Sequence, residues 1–341
     1  VMVMPTMRRK GESFELKLRG EDRWGNPSDK CDGTFRLRPS APVAGLPETV
    51  TFKPGETSVV VSGLSVAETG DLSIDLLSED GAVVASANPL RIVEDTALLP
   101  YWADLHGQSE ETIGTNSARQ YFEFARDRAF VDACGHQGND FQITTPFWDE
   151  LNRITAEFND PGHFITLPGY EWSGNTGLGG DRNIFFPEEG RQIRRSSHAL
   201  IEDRTTAHTD CTTAGKLFEA FAEHGEDDVV CYAHCGGRYA DIAVAHDGRF
   251  EKSVEVHSSW GTFEWLLEDA FKLGYRVGVV CNSDGHKGRP GASYPGAGKF
   301  GAIGGLTCFS TAELSREALL DCMRKRRHYG TTGGDGGRMV I

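Results

Sequence analysis

The stretch VGVVCNSDGHKGRP, residues 277–290, begins as an apolar run and ends in residues that bind metals or anions. Its first half is typical of a strand that is buried on both faces, as in the parallel sheets of α/β proteins. Asp284 and His286 follow the apolar run directly, and Lys287 and Arg289 come next. Because catalytic groups collect at the carboxyl ends of parallel strands, this order predicts a functional site at the end of a buried strand.

Other apolar runs between residues 98 and 333 end in the same way. Amphipathic segments alternate with these runs, with Thr145, Thr213 and Thr262 as their predicted N-caps. This alternation predicts parallel βαβ units in an α/β sheet or barrel. In such a fold the carboxyl ends of the strands meet at one edge or mouth. The metal-binding residue types at the other strand ends are His106, His136, Glu171, His234 and His257.

A single histidine at a strand end is usually a structural, hydrogen-bonded residue. Several at the same structural position, together with Glu171 and Asp284, favour one shared metal site over separate structural roles. Imidazole and carboxylate together suit Zn²⁺, Mn²⁺ or Fe²⁺, and their number exceeds the needs of one tetrahedral ion. We therefore expect two or three ions bridged by a carboxylate such as Glu171, which is an arrangement suited to hydrolysis.

Residues 1–97 have a different pattern from the rest of the chain. Short alternating segments are separated by turn sequences such as WGNPS and KPGE, with no helical period. This pattern predicts an immunoglobulin-like β-sandwich with a structural or docking role. The predicted organisation is therefore a β-sandwich over residues 1–97 and an α/β hydrolase domain over residues 98–341.

Composition excludes several classes of partner. The formal net charge of −15 argues against a nucleic-acid or anionic-membrane surface, because both need a basic face. No apolar run has the length of about 18 residues that spans a bilayer, and the first residues lack a signal peptide's apolar core. The cysteines show no paired spacing, so we expect a reduced, cytoplasmic setting. The glycine-rich loops match no nucleotide-binding fingerprint, and the oligomeric state stays open.

The motifs YWADLH (101–106) and NSDGHKGRPG (282–291), with the strand ends between them, resemble the polymerase and histidinol phosphatase (PHP) superfamily of metal-dependent hydrolases. In particular they resemble its domain-of-unknown-function 3604 (DUF3604) branch. The resemblance covers about residues 98–333 and six motifs in the family order. It implies a distorted (β/α)7 barrel.

The resemblance also implies a ligand set. His106 matches the first histidine of an opening His-x-His motif, and Asp284 and His286 match the closing Asp-x-His motif. The remaining matches are His136, Glu171, His234 and His257. One implied shell is His106, Glu171 and Asp284, a second is Glu171, His234 and His257, and His136 with His286 lies toward a third.

This sequence departs from the family pattern at two positions. Gln108 replaces the second histidine of the opening motif, and Gly135 replaces an aspartate before His136. Two ions, or one, are therefore alternatives to three, and Gln108 becomes a candidate for substrate binding. Other candidates for supporting or substrate-binding roles follow His136 in the sequence; they are Gln137, Asn139 and Asp140.

Cations near the motifs predict a small anionic substrate, since Arg binds phosphate or carboxylate through paired hydrogen bonds. The candidates are Arg182, Arg194, Arg195, Arg238, Lys287 and Arg289, with His198 as a further loop residue. The predicted reaction is phosphoester hydrolysis by a metal-bridged hydroxide, with Asp284, His286, Arg238, Lys287 and Arg289 as catalytic residues. Hydrolysis of an amide, lactone or carboxylic ester is an alternative, and so is a non-catalytic binding module stabilised by metal.

Overall fold

The computed structural model describes residues 1–292, 302–333 and 338–339. The described residues form a mixed α/β protein with many strands and five α helices. The strands of the first hundred residues are β1 (Met2–Val3), β2 (Met7–Arg9), β3 (Phe14–Arg19), β4 (Gly33–Pro39), β5 (Thr49–Phe52), β6 (Ser58–Leu64), β7 (Gly70–Leu72), β8 (Ile74–Leu77), β9 (Val83–Ser86) and β10 (Leu90–Val93).

Strands and helices alternate in the rest of the chain. The elements are β11 (Leu99–Asp104), α1 (Ala118–Phe124), β12 (Ala133–Gly135), α2 (Thr145–Phe158), β13 (Ile165–Leu167), β14 (Gly169–Ser173), β15 (Asp181–Phe185), α3 (Ala214–Glu223), β16 (Val230–Ala233), β17 (Glu251–Ser258), β18 (Gly261–Thr262), α4 (Glu264–Lys272), β19 (Gly278–Cys281), β20 (Leu306–Thr311), α5 (Arg316–Lys325) and β21 (His328–Thr331). A π-helical turn, Ala125–Ala129, extends α1.

The chain divides into two compact units, one containing Val1–Tyr101 and the other Trp102–Gly334. The sequence prediction instead places the boundary between residues 97 and 98. The first unit holds three sheets, with strand orders β1-β3-β6, β2-β10-β7 and β5-β4-β8-β9. Residues such as Leu16, Leu64 and Ile74 are fully buried in its core, because alternation along each strand turns one face inward. The specific immunoglobulin-like topology stays a prediction.

The second unit contains two sheets, with strand orders β13-β12-β11-β20-β21 and β14-β15-β16-β17-β18, and β19 pairs with β17. Strands β11, β12 and β13 are mutually parallel, and so are β16, β17 and β19. Strand β15 runs antiparallel to both of its neighbours, β14 and β16. Strand pairing among the described residues does not close the sheets, so the predicted (β/α)7 barrel is not confirmed.

Local sequence explains where most helices begin. The side chain of Thr213 caps α3 as predicted, accepting a hydrogen bond from the Lys216 N–H. Helix α2 is capped by Thr144, one residue before the predicted Thr145. Helix α4 begins without a side-chain cap, so the predicted role of Thr262 is wrong. Ser117 and Gln120 form a capping box at α1, a helix that the sequence analysis did not predict.

Two findings concern cysteines and membranes. All eight cysteines are free, and seven of them are buried. Burial raises the pKa of several thiols, for example that of Cys281 to about 12, which keeps them protonated and unreactive. No helix in the described part of the chain is long and apolar enough to cross a membrane.

The packing around His328 can be tested through the pH dependence of the protein's stability. His328 lies on β21, donates to or accepts from Ser253 Oγ at 2.8 Å, and its burial lowers its pKa to about 4. The unfolded chain binds a proton at this residue below about pH 6.5, whereas the folded chain does not until about pH 4. Stability is therefore lost as the pH falls between these values, by about 2 kcal/mol at pH 5. Urea unfolding gives the free energy of unfolding at pH 7.5 and at pH 5. Between these two pH values, that free energy should fall less for His328→Gln than for the unsubstituted protein. An equal loss would contradict the burial of this ring.

Candidate metal centre

A cavity of about 110 Å³ lies where several strands of the second unit end. Its floor is acidic and imidazole-bearing, and its rim carries Ile113, Phe141, Trp260 and one cation, Arg238. The floor and inner wall are formed by Gln108, Asn139, Glu171, Asp181, His234, Gly236, Gly237, Asp284 and His286. The cavity therefore brings together residues from seven separated segments of the chain.

His106 contacts two residues of the floor, Glu171 and Asp284, and is not itself among the described residues that line the cavity. It follows β11 and is fully buried. Its Nε2 is 3.3 Å from Glu171 Oε2 and 3.3 Å from Asp284 Oδ1, while its Nδ1 is 3.1 Å from both oxygens of Glu255. One ring nitrogen therefore faces two carboxylates in the cavity, and the other is held from behind by a third.

Glu255 orients His106 and was missed by the sequence analysis. A carboxylate behind a ligating imidazole fixes its tautomer and ring orientation, as is common at metal sites. Asn282 donates from Nδ2 to Glu255 Oε2 at 2.8 Å, which fixes the carboxylate in turn. The available signal was a buried acid inside the apolar run KSVEVHSS, where an unpaired charge would be costly.

Glu171 lies within β14 and is held from two sides. Asn139 Nδ2 donates to Glu171 Oε1 at 2.8 Å, and Ser173 Oγ donates to the same oxygen at 2.7 Å. The Oε2 atom faces His106, with Gln108 Nε2 at 3.5 Å. Asn139 thus contacts Glu171 directly, and Gln108 lines the cavity beside Glu171; the roles predicted for both stay predictions.

His234 and Asp181 form the second side of the floor. His234 follows β16, and its Nε2 lies 3.7 Å from Glu171 Oε1. Both are buried, and neither ring nitrogen of His234 nor Oδ1 of Asp181 has a hydrogen-bond partner among the described residues. Asp181 is the second residue that the sequence analysis missed.

Asp284 is held in an unusual backbone conformation. Its φ is +46°, in the left-handed region that non-glycine residues seldom adopt, so the strand geometry of β19 does not continue to this residue. Asp104 helps to hold this loop, because its carboxylate accepts the N–H groups of Ser283 and Gly291 at 2.9 and 2.7 Å. A Cβ on Gly236 would lie 3.3 Å from Asp284 Oδ2, so the opposite wall is packed closely.

Ionisation within the cluster reflects crowded charges. Burial opposes ionisation of Asp284, but His106 and His286 beside it lower its pKa to about 2. Burial would lower the pKa of His106, yet Asp284 and Glu255 against the ring raise it well above its usual value. Burial and the neighbouring Glu171 raise the pKa of Asp181 well above its ordinary range. The negative charge of the carboxylates in the cluster is therefore greater than the positive charge that the imidazoles provide.

These residues fit a divalent cation. Three sets offer ligand atoms that all lie within 4.8 Å of one another; they are His106, Glu171 and Asp284, then Glu171, Asp181 and His234, and finally His106, His234 and Glu255. The unpartnered nitrogens of His234 are buried, where an unmet polar atom is costly. His106 must lose its proton to act as a ligand, so the site should bind metal more weakly at low pH.

The structure places His257 outside this cluster. Its Nδ1 lies 2.8 Å from Thr262 Oγ1, and its Nε2 lies 2.8 Å from the Ile303 carbonyl. The register of β17 against β19 shifts between Glu255 and His257, and such a bulge re-aims the side chains that follow it. The predicted shell of Glu171, His234 and His257 is therefore not the one that the structure brings together.

His136 and its neighbours lie beside the cavity without lining it. His136 Nε2 is 2.8 Å from Ser109 Oγ, and burial lowers the pKa of the ring to about 3. Gln137 donates to the Ile184 carbonyl at 3.3 Å, and Asp140 accepts hydrogen bonds from the Ser173 N–H of β14 and from the Ser196 hydroxyl. None of these three residues is among the described residues that line the cavity, and their predicted roles stay predictions.

Four predicted substrate residues have structural partners elsewhere; they are Arg182, Arg194, Arg195 and His198. Arg182 is buried against Glu251, with Nε 2.9 Å from Oε2. Arg194 pairs with Glu226 at 2.6 Å, and Arg195 donates to the Ile143 carbonyl. His198 Nδ1 lies 2.6 Å from Asp210 Oδ2. None of the four is among the described residues that line the cavity, and their predicted contact with substrate stays a prediction.

Arg238 is the predicted cation that lines the cavity. Its guanidinium carbon lies 4.6 Å from the Phe141 ring centroid, and its side chain is 34% exposed. His286 also lines the cavity, with Nε2 3.4 Å from Asp284 Oδ1. Lys287 is exposed, and neither Lys287 nor Arg289 is among the described lining residues.

Comparison with known families identifies the region that carries much of this site. The family described as "Protein of unknown function (DUF3604)" matches residues 79–237. The resemblance to DUF3604 is confirmed. The matched range includes His106, Glu171, Asp181 and His234, whereas Glu255 and Asp284 lie beyond it.

Proteins similar to this chain are known from Chlamydia. An uncharacterized protein of Chlamydia pneumoniae is 23% identical over 95% of this chain and 54% of its own length. An uncharacterized protein of Chlamydia trachomatis is 22% identical with the same coverage. The chain thus spans about half the length of the curated relatives that it matches.

One solved structure resembles the chain at low identity. It is a two-domain protein containing a predicted PHP-like metal-dependent phosphoesterase from Bacteroides vulgatus. The TM-score is 0.47 and the identity is 11%, over 69% of this chain and 65% of that one.

Proposed function

We propose that this protein is a metal-dependent hydrolase that acts on a small phosphoester. The observation that carries the proposal is the buried set His106, Glu171 and Asp284, whose facing atoms lie 3.3 Å apart beneath a cavity that also holds Arg238. An uncompensated group of buried carboxylates and imidazoles is costly unless it binds a cation. The cation beside it favours an anionic substrate.

Divalent cations held there would lower the pKa of a water molecule and offset negative charge on the substrate. The protein's own residues perform the remaining tasks. Glu255 holds the His106 ring so that Nε2 faces the cavity, and Asn139 and Ser173 hold Glu171. These supports keep the ligand atoms in place without reorganisation when substrate binds.

Two residues at the mouth would act on the substrate. Arg238 is positioned to donate hydrogen bonds to phosphoryl oxygens, since its guanidinium lies over Phe141 at the cavity rim. His286 lines the same cavity with a side chain that is 21% exposed. Its ring can exchange protons with solvent, and we assign it the transfer of a proton to the leaving oxygen.

The proposal also includes the type of barrel, the type of β-sandwich and the identity of the metal. The parallel strands β11 to β13 and β16, β17 and β19, with their ligand-bearing ends, support a distorted PHP-type (β/α)7 barrel. The three sheets of the first unit, whose strands are mainly antiparallel, support an immunoglobulin-like sandwich. Mixed nitrogen and oxygen ligands favour Zn²⁺, Mn²⁺ or Fe²⁺.

The test is metal content followed by substrate profiling. Purified protein should contain at least one equivalent of transition metal by elemental analysis, directly or after reconstitution. The reconstituted protein should hydrolyse phosphomonoesters or phosphodiesters, and a chelator should remove the activity until metal is added back. Carboxylic esters, lactones and amides are assayed in parallel, because an activated water also attacks carbonyl carbon.

Three results would contradict the proposal. Cleavage of carbonyl substrates without phosphoester cleavage would replace the substrate class. Bound metal with no turnover of either class would favour a metal-stabilised binding module. Less than one equivalent of metal after reconstitution would remove the basis of the proposal.

A further inference from the structure

Asp181 is a buried carboxylate at the cavity floor that the motif resemblance does not include. We propose that Asp181 is a metal ligand and that it forms a second cation subsite with Glu171 and His234, in the position that the resemblance gives to His257. This inference rests on the proposed metal binding of the site. It concerns which residues of this chain hold the second ion.

The strand pairing explains how Asp181 reaches the floor. Asp181 is the first residue of β15, which runs antiparallel to β14 and β16, so its beginning lies where those strands end. The pairing sets Asp181 opposite Ser173 on β14, two residues from Glu171. Alternation along β15 turns Arg182 to the other side, where it pairs with a different carboxylate.

Asp181 and His234 both carry buried atoms without a hydrogen-bond partner. Oδ1 of Asp181 and both ring nitrogens of His234 make no hydrogen bond within the described residues, although both residues are at least 98% buried. The contact of Asp181 Oδ1 with Arg238 Nε is a looser one, at 3.9 Å. One ligand atom from each of Asp181, His234 and Glu171 lies within 4.8 Å of the others. Buried polar atoms are normally satisfied, so this group has the arrangement expected of ligands to a cation.

His257 does not offer the same atoms. Both of its ring nitrogens have partners at 2.8 Å, one a hydroxyl and the other a backbone carbonyl. Ligation would require at least one of these hydrogen bonds to break and the ring to turn toward Glu171. Asp181 requires no such rearrangement.

Asp181 also holds the loop that carries Arg238. The Arg238 N–H donates to Asp181 Oδ2 at 3.1 Å, and the Asp181 N–H donates to the Arg238 carbonyl at 3.1 Å. One carboxylate oxygen therefore fixes the loop, while the other, Oδ1, makes no hydrogen bond and lies 3.9 Å from Arg238 Nε. The second subsite and the substrate-facing cation are built on the same residue.

The experiment compares metal stoichiometry and affinity in three proteins: the unsubstituted chain, Asp181→Asn and His257→Gln. Mn²⁺ titration by calorimetry, with elemental analysis, is the readout and does not depend on turnover. We expect two equivalents in the unsubstituted chain and in His257→Gln. We expect Asp181→Asn to lose one equivalent, or to bind it at least about 100-fold more weakly, since its amide oxygen will face the Arg238 N–H and leave the NH₂ group toward the ion.

A second variant, His234→Gln, keeps the test valid even if Asp181→Asn fails to fold. His234→Gln should lose the same equivalent and retain the one bound by His106, Glu171 and Asp284. The inference is overturned if His257→Gln loses the second ion, if both Asp181→Asn and His234→Gln keep it, or if the unsubstituted chain binds a single ion. These outcomes leave the proposed hydrolase intact, whereas a chain that binds no ion at all refutes both.

Discussion

Glu171→Gln should abolish tight metal binding and lower kcat/KM for phosphoesters by roughly 1000-fold or more, since loss of a metal removes several kcal/mol of charge stabilisation. Glu171 belongs to two of the three ligand sets, so both lose their shared carboxylate. The substitution keeps the side-chain shape, and the amide can still accept from Asn139. Elemental analysis and steady-state kinetics on metal-reconstituted protein measure the two effects.

Glu251→Gln is the matched control for that substitution. Glu251 is also a fully buried carboxylate, but it pairs with Arg182 and is not among the described residues that line the cavity. Its loss should lower the stability of the protein because it leaves a buried guanidinium without its partner. Metal content should stay at the unsubstituted level. If both variants lose metal equally, the loss at Glu171 reflects folding and the assignment of this residue as a ligand is contradicted.

The strand-end pattern located the floor of the cavity from sequence. His106, His234 and Asp284 each follow an apolar run, and the structure brings all three together. The inference works because parallel strands deliver their carboxyl ends to the same place. The inference therefore does not depend on knowing which strands are neighbours in the sheet.

The same pattern could not find Asp181. Because β15 is antiparallel, the beginning of this strand lies beside the ends of its neighbours. Strand direction depends on tertiary pairing, which a local apolar run does not encode. The sequence pattern therefore favoured Arg182, whose side chain points to the opposite side and pairs with Glu251.

Two further differences between the sequence prediction and the structure also arise from tertiary contacts. A one-residue register shift in β17 separates the orientations of Glu255 and His257, so the acid supports His106 while the histidine makes other hydrogen bonds. Such bulges depend on pairing across the sheet and leave little trace in sequence. Arg194 and Arg195 were predicted to contact substrate because they lie near the motifs in the sequence. Proximity in sequence does not reveal the buried partners that they have in the structure.

Arg238→Gln should raise KM for phosphoesters by about 10- to 100-fold, the range expected for loss of a hydrogen bond to a charged group. The glutamine keeps the backbone N–H that donates to Asp181, so the metal content should not change. Any activity on neutral carboxylic esters should be affected much less, because no anionic oxygen then needs the guanidinium. Steady-state kinetics on both substrate types, with metal content measured on the same samples, gives the comparison.

Lys287→Gln distinguishes a specific contact from the general electrostatic effect of a cation near the mouth. Lys287 lies one residue beyond His286 in the sequence but is exposed and outside the described lining of the cavity. An exposed charge acts through solvent and is screened by salt, so its removal should change KM by no more than about 2-fold at 0.15 M ionic strength. Equal effects of Lys287→Gln and Arg238→Gln would mean that the substrate senses overall charge and would contradict the placement of Arg238 against the phosphoryl group. A large effect confined to Arg238→Gln requires a guanidinium held in position at the rim, which the Phe141 ring and the loop clamped by Asp181 provide.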